Sequence, residues 1–106
     1  MGTKIYFVGM HNKPGMKALD SKTATGATID KIIEGLPGID CIKTNLCDTD
    51  YFVKDKDEIW TCNVCWQYKY DPPIGSIIVL LGNWVHKHFI TNGSAALIKV
   101  AHPACM

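Results

Sequence analysis

The segment from residue 5 to residue 15, IYFVGMHNKPG, places four apolar residues directly before a polar loop that contains Gly9 and Gly15. A short apolar run that ends at a glycine favours a buried β-strand over a helix, so we predict a strand from Lys4 to Val8. The polar residues that follow predict a long loop over residues 10–25. Polar groups at the end of a buried strand are candidates for a ligand site.

Helical and extended segments alternate along the rest of the chain. Isoleucine and leucine recur at i, i+3, i+4 and i+7 between Thr28 and Leu36, which predicts an amphipathic helix. Further strands are predicted at 39–46 (IDCIKTNL), 76–82 (SIIVLLG) and 96–101, with helices at 58–68 and 83–89, a loop at 48–57 and a turn at 91–93. This order predicts an α/β fold with three layers, α/β/α, around a four-stranded parallel sheet. With 106 residues, the chain is expected to form one domain, 1–106.

The composition limits the class of protein. The net charge of +1 gives no general basic excess of the kind that supports strong non-specific binding to DNA. No run of 18 apolar residues is present, which predicts that the chain does not span a membrane. The N-terminal MGTKIYFV lacks the apolar core of a signal peptide and is interpreted as the start of a strand. We therefore expect a monomer in the cytoplasm, or in the host cytoplasm if the chain is encoded by a phage.

The five cysteines leave two interpretations open. An odd number in a chain without a signal peptide argues against a disulfide framework. Four thiolates could hold zinc or an iron–sulfur cluster, and the ligands would be Cys41, Cys47, Cys62 and Cys65. Reduced structural cysteines are the preferred interpretation, so we expect no metal and no other cofactor.

Each predicted strand ends in a distinctive group. These groups are the loop from Gly9 to Gly15, Asn45, Gly82 with Asn83, and His102. Ligands bind beyond the carboxyl ends of the strands in open parallel sheets, so the four groups are expected to converge on one crevice.

Five segments resemble the uracil-DNA glycosylase superfamily over nearly the whole chain. They are FVGMHNKPG, SKTATGATIDKI, IKTNL, EIWTCNVCWQYKYDPPIGSIIVLLGNWVHKHF and AHPAC. The resemblance implies a DNA glycosylase, an enzyme that flips a base into the crevice and hydrolyses the N-glycosidic bond of uracil or a modified pyrimidine.

The resemblance also implies residue roles. His102 would stabilise the negative charge on the departing base, and Asn45 would read the base edge with its donor and acceptor. The first motif of the family has proline directly after its asparagine, whereas Lys13 intervenes here. The residue that positions the attacking water is therefore either Asn12 or His11. The remaining residues expected to contact substrate are Gly9, Met10, Gly15 and Gly26.

Two departures from the family concern the substrate. Many members stack an aromatic ring on the base from the loop that corresponds to Met16–Thr25, which contains no aromatic residue here, so a substitute is needed. The chain stops four residues after His102, where members usually continue with an intercalating loop. A protein without that wedge is expected to prefer single-stranded DNA, since unpairing then costs least.

Two other functions remain open. One is a non-catalytic protein of the same fold that binds a base, a nucleotide or a partner protein. The other is a deoxyribosyltransferase-like enzyme, which needs a carboxylate nucleophile, and Asp48 is the carboxylate closest to a strand end. We also expect all three tryptophans, Trp60, Trp66 and Trp84, to pack in the core or between helices.

Overall fold

The computed structural model describes residues 3–12, 14–90 and 96–100. These residues form a small α/β domain in which strands and helices alternate as the sequence predicts. The elements are β1 (Lys4–His11), α1 (Ala24–Glu34), β2 (Asp40–Cys47), α2 (Lys56–Tyr70), β3 (Ile77–Leu81), α3 (Asn83–His88) and β4 (Ala96–Val100). The predicted turn at 91–93 and the end of the last predicted strand, at Ala101, lie outside the described residues.

The four strands form one parallel sheet in the order β2-β1-β3-β4. The chain runs from β1 to β2 through α1 and then returns through α2 to β3, on the other side of β1. The carboxyl ends of β1 and β3 are therefore the point at which the strand order reverses, where open sheets of this kind form crevices.

Helices cover both faces of the sheet, which confirms the predicted three-layer arrangement. Tyr6 and Val8 of β1 pack on one face with Trp66 of α2. Phe7 lies between them in sequence and packs on the opposite face with Ile29 of α1. This alternation follows from the two-residue period of a strand and buries β1 on both faces.

The loop predicted over residues 10–25 is shorter in the structure at both ends. β1 continues beyond Gly9 to His11, which pairs with Cys47 of β2 in the parallel ladder. α1 begins at Ala24 rather than Thr28, since the Thr23 hydroxyl accepts a hydrogen bond of 2.9 Å from the Gly26 amide. This side-chain cap supports a first turn that contains two poor helix formers, Thr25 and Gly26.

The second helix is also longer than predicted. The Asp55 carboxylate accepts hydrogen bonds from the amides of Asp57 and Glu58 and so caps a helix that starts at Lys56. At the other end, Asp71 adopts a left-handed conformation, with φ of 38°, and ends the helix. Within the described part of the chain, none of the helices has the length and apolar character needed to cross a membrane.

Candidate functional site

The side chain of Asn45 packs against Gly9 near the carboxyl end of the sheet. The two residues pair in the β1–β2 register, and the Asn45 side chain lies on the α1 face, since the neighbouring Thr44 bonds to Trp66 on the α2 face. A methyl group at position 9 would overlap Asn45 Oδ1 and would lie only 3.0 Å from Leu19 Cδ2. A side chain at position 9 would therefore displace the Asn45 amide.

A chain of hydrogen bonds joins three polar side chains at this end of the sheet. Asn45 Nδ2 donates to Asn12 Oδ1 at 2.6 Å, and Asn12 Nδ2 donates to Asp48 Oδ1 at 3.2 Å. The backbone amide of Asn12 donates to the Thr49 carbonyl at 2.8 Å, which ties the segment after β1 to the segment after β2. Asn45 is only 8% exposed, so its amide is held in a fixed position.

The Asn12–Asn45 pair lines a crevice of about 230 Å³ between the ends of β1 and β2 and the start of α1. Its lining residues are Gly9, Met10, His11, Asn12, Lys17, Leu19, Asp20, Thr23, Thr25 and Asn45. Drug-sized ligands occupy pockets of roughly 300–1,000 Å³, so this crevice suits a smaller group such as a single nucleobase.

A second cavity of about 500 Å³ shares Asn12, Lys17 and Asn45 with the crevice and continues along α2. Its α2 wall includes Glu58 and Lys69. The amide pair is thus accessible from two adjoining spaces, of about 230 and 500 Å³.

The loop before α1 is held by Asp20. Its carboxylate accepts hydrogen bonds from the amides of Lys22, at 3.0 Å, and Lys17, at 3.3 Å. These two bonds, that of Lys22 first, lower the pKa of Asp20 below its ordinary value, so the crevice contains an anion at neutral pH. Asp20 and the threonines of the helix start were missed from the sequence, although a threonine before a helix is a known capping signal.

The structure brings together five of the residues predicted as site residues: Gly9, Met10, His11, Asn12 and Asn45 all line the crevice. His11 Nδ1 lies 2.9 Å from the carbonyl oxygen of Asn12. Its ring lies in edge contact with Phe52, with 6.1 Å between centroids.

Two predicted contact residues have other surroundings. Gly15 is exposed, has a φ of 75° and is not part of the crevice lining, so its role in the described chain is a backbone turn. Gly26 is buried where the first turn of α1 meets the carbonyls of Leu19 and Asp20, and a side chain at this position would overlap both. His102 lies outside the described residues.

The expected convergence of four strand ends is only partly visible. The crevice is lined from the ends of β1 and β2, and neither Gly82 nor Asn83 is among its lining residues. The Gly82 amide instead donates to the Val100 carbonyl at 2.9 Å, which ties the end of β3 to the end of β4.

The four cysteines proposed as metal ligands lie in different layers. Cys41 packs against the α1 face, whereas Cys47 and Cys62 pack against the α2 face. Burial, together with the adjacent Cys62 thiol, raises the pKa of Cys47, which therefore stays a thiol at neutral pH. Among the residues that the structure describes, no three histidine, cysteine or acidic side chains form a group suited to a metal ion.

Comparison of the chain with protein-family models, with curated proteins and with solved structures gave no match.

Proposed function

We propose that the crevice binds a pyrimidine base extruded from DNA and that the protein hydrolyses the N-glycosidic bond of that base, which is uracil or a modified pyrimidine. The observation that carries this proposal is the hydrogen bond between the side-chain amides of Asn12 and Asn45 at the crevice, since Asn12 directly follows β1 and Asn45 lies near the carboxyl end of β2. The order of the sequence motifs that resemble uracil-DNA glycosylases supports the same function.

The direction of the hydrogen bonds favours uracil over cytosine. A carboxylate accepts hydrogen bonds but does not donate them, so Asp48 requires Asn12 to point its Nδ2 outward and its Oδ1 towards Asn45. Asn45 must then present Nδ2 to Asn12, and it retains one N–H and its Oδ1 for a ligand. Uracil offers a carbonyl and an N–H along the matching edge, whereas cytosine in the same pose offers an amino group and a ring-nitrogen acceptor.

The same residues provide the groups that hydrolysis needs. Water attacks the anomeric carbon, the bond from that carbon to the base nitrogen breaks, and the electron pair leaves with the base. Asn12 Oδ1 has a second lone pair that can accept from this water, and the adjacent Asp48 carboxylate accepts the proton that the water loses. The stabilisation of the departing base by His102 stays a prediction from the sequence resemblance.

The test is base excision from oligonucleotides that carry one uracil, in single-stranded and duplex form, with abasic sites revealed by alkaline cleavage. We expect excision by the wild-type protein, and losses on the order of 10²-fold or more in Asn12→Ala and Asn45→Ala. Tyr68→Ala is the matched control, because this side chain is 90% exposed and remote from the crevice lining. The absence of abasic product from a folded wild-type protein on every substrate would refute the proposal.

A non-catalytic binding protein is the second candidate, and one observation favours it. Both polar atoms of the Asn12 side chain already bond to protein groups, Asn45 and Asp48, which suits a rigid recognition surface better than a side chain that holds a reacting water. Such a protein would bind a uracil-containing oligonucleotide or nucleotide and release no base. Binding that depends on Asn45, without abasic product, would identify this function.

A further inference from the structure

Four aromatic rings form a continuous row beside the crevice. The ring of His11 contacts Phe52, Phe52 contacts Trp84, and Trp84 contacts His88, with centroid separations of 6.1, 5.7 and 4.8 Å. We call these four side chains the aromatic row. Its members come from three separate segments of the chain, so the fold and not a local motif assembles it.

The aromatic row lies where the strand order reverses. His11 ends β1 and lines the crevice, while Trp84 belongs to the first turn of α3, directly after β3. The row therefore extends from the crevice across the carboxyl ends of β1 and β3, the place where open parallel sheets bind ligands.

The aromatic row is partly exposed to solvent, and its Trp84 side chain packs against the core. Phe52 is 41% exposed, and it is the most accessible ring of the row. Trp84 is half-buried and packs against the core on the α2 face, so its ring has a fixed position. A single exposed ring needs no explanation, but a row in continuous contact that starts at a ligand crevice does.

Positive charge accompanies the row. The Lys54 ammonium lies 5.9 Å from the centre of the Phe52 ring. At the far end, His88 borders a groove of about 260 Å³ that is also lined by Lys56 and Lys87. Burial, and then the charge of Lys87, lower the pKa of His88, so at neutral pH the two lysines carry the charge and His88 contributes a neutral ring.

We propose that the aromatic row stacks the unpaired bases of single-stranded DNA that flank the base in the crevice, while Lys56 and Lys87 contact the phosphates of the same strand. Aromatic rings beside a basic groove are the usual means of binding single strands without sequence preference, because every base has a face to stack. Bases in a duplex are covered on both faces by neighbouring base pairs, so these rings cannot stack on them. This inference rests on the proposed function for the identity of the crevice ligand, but it concerns binding outside the crevice.

The test measures binding by the fluorescence anisotropy of a labelled oligo(dT) of about 12 nucleotides, within the roughly 4–16 nucleotides that single-strand-binding folds cover. The oligonucleotide contains no uracil, and a parallel measurement with the Asn45→Ala protein separates base binding in the crevice from stacking on the row. We expect Phe52→Ala to raise the Kd by about 5- to 150-fold, the range for the loss of one stacked base. Phe52→Trp should retain binding, and Tyr68→Ala, which removes an exposed ring outside the row, should leave the Kd unchanged.

The phosphate contact has a separate signature. Each phosphate neutralised on a single strand contributes a slope of about −0.7 to the dependence of log K on log salt concentration. Lys87→Gln should therefore reduce the magnitude of the slope by about 0.7, whereas Phe52→Ala should lower affinity with the slope unchanged.

The inference would be overturned by no binding of the wild-type protein to oligo(dT), or by equal binding of wild type, Phe52→Ala and Trp84→Ala. Phe52→Ala is decisive if Trp84→Ala fails to fold, because Phe52 is largely outside the core. Binding to the duplex that equals binding to the single strand would also contradict it. Failure of uracil excision with binding that still depends on Phe52 would refute the glycosylase and leave this surface as a site for single-stranded DNA.

Discussion

The contact between Gly9 and Asn45 makes the candidate site sensitive to one methyl group. Gly9→Ala would place a Cβ atom in overlap with Asn45 Oδ1 and at 3.0 Å from Leu19 Cδ2. The Asn45 amide has little room to retreat, since it is 8% exposed and bonds to Asn12. We expect the substitution to displace this amide and so to lower both the stability of the domain and the base binding that we propose for Asn45.

The magnitude follows from two contributions. Overpacking at a well-packed position costs about 1–3 kcal/mol, and the loss of the hydrogen bond to Asn12 costs about 1 kcal/mol more. The free energy of unfolding should fall by about 2–4 kcal/mol, out of the roughly 5–15 kcal/mol that is typical of a domain. With a urea m-value of about 2 kcal/mol/M, the urea midpoint should fall by about 1–2 M.

The assay is urea unfolding followed by tryptophan fluorescence, for which the buried Trp66 is a suitable reporter. Gly35→Ala is the matched control: its φ is −78°, and a methyl group there would lie at ordinary contact distances from the carbonyl oxygens of Ile32, at 3.4 Å, and Lys31, at 3.9 Å. That control should be neutral, or stabilising by up to about 1 kcal/mol through the unfolded chain.

A second variant identifies the cause. Asn45→Ala removes the group that the new methyl would overlap, so it should cost less in the Gly9→Ala background than in the wild type. The two changes should show a coupling energy of about 1 kcal/mol or more. A Gly9→Ala protein whose midpoint matches that of Gly35→Ala, or strictly additive effects in the double variant, would refute this account of the contact.

Three further predictions concern the support of the site. In the wild type the buried Trp66 Nε1–H donates to the Thr44 hydroxyl at 3.0 Å, and Thr44→Val removes this acceptor. The free energy of unfolding measured in urea should fall by about 1–3 kcal/mol in Thr44→Val and by far less in Thr44→Ser. Hydrogen bonds from Lys43 and then Ser21 lower the pKa of Asp30 in the folded protein below its value in the unfolded chain. The ionised carboxylate therefore stabilises the fold at pH values above the unfolded pKa, and this stabilisation is lost as the pH falls through the folded pKa. Asp30→Asn should accordingly flatten the loss of urea resistance between neutral pH and about pH 3; an unchanged slope would contradict it. Exposed Cys65 should react rapidly with a thiol reagent and buried Cys47 only after unfolding, so Cys65→Ser, and not Cys47→Ser, should remove a fast-reacting thiol.

Much of the element order could be predicted because several elements carry their own periodic signal. The apolar runs of β1 and β3 and the isoleucine spacing of α1 report local burial, and local burial is sufficient to distinguish strands from helices. The ends of the elements were less well predicted, because they depend on single polar contacts. Thr23 and Asp55 start their helices earlier than the apolar pattern suggests, and only the hydrogen bonds of the caps reveal this.

The surroundings of aromatic residues were the weakest prediction. Trp60, Trp66 and Trp84 were all expected to pack in the core or between helices, yet Trp60 is 58% exposed while Trp66 is 3% exposed. Both lie on α2, which is apolar on more than one face, so helical spacing does not say which face the sheet will cover. Phe52 gave no periodic signal at all, and its place in the aromatic row depends on contacts with the ends of two other elements.

In the candidate site, sequence patterns predict where the asparagines lie but not how their amide groups are oriented. Asn12 and Asn45 could be selected because the sequence places both near the carboxyl ends of strands, and parallel strands bring those ends to one edge. Their orientation is a different matter, since an amide offers a donor and an acceptor of nearly the same size. Asp48 decides it: an acceptor-only carboxylate at one end of the chain of hydrogen bonds fixes the direction of each amide in turn. Asp48, which the sequence offered only as a candidate nucleophile, thus determines in the structure which atom of the Asn45 amide points towards Asn12.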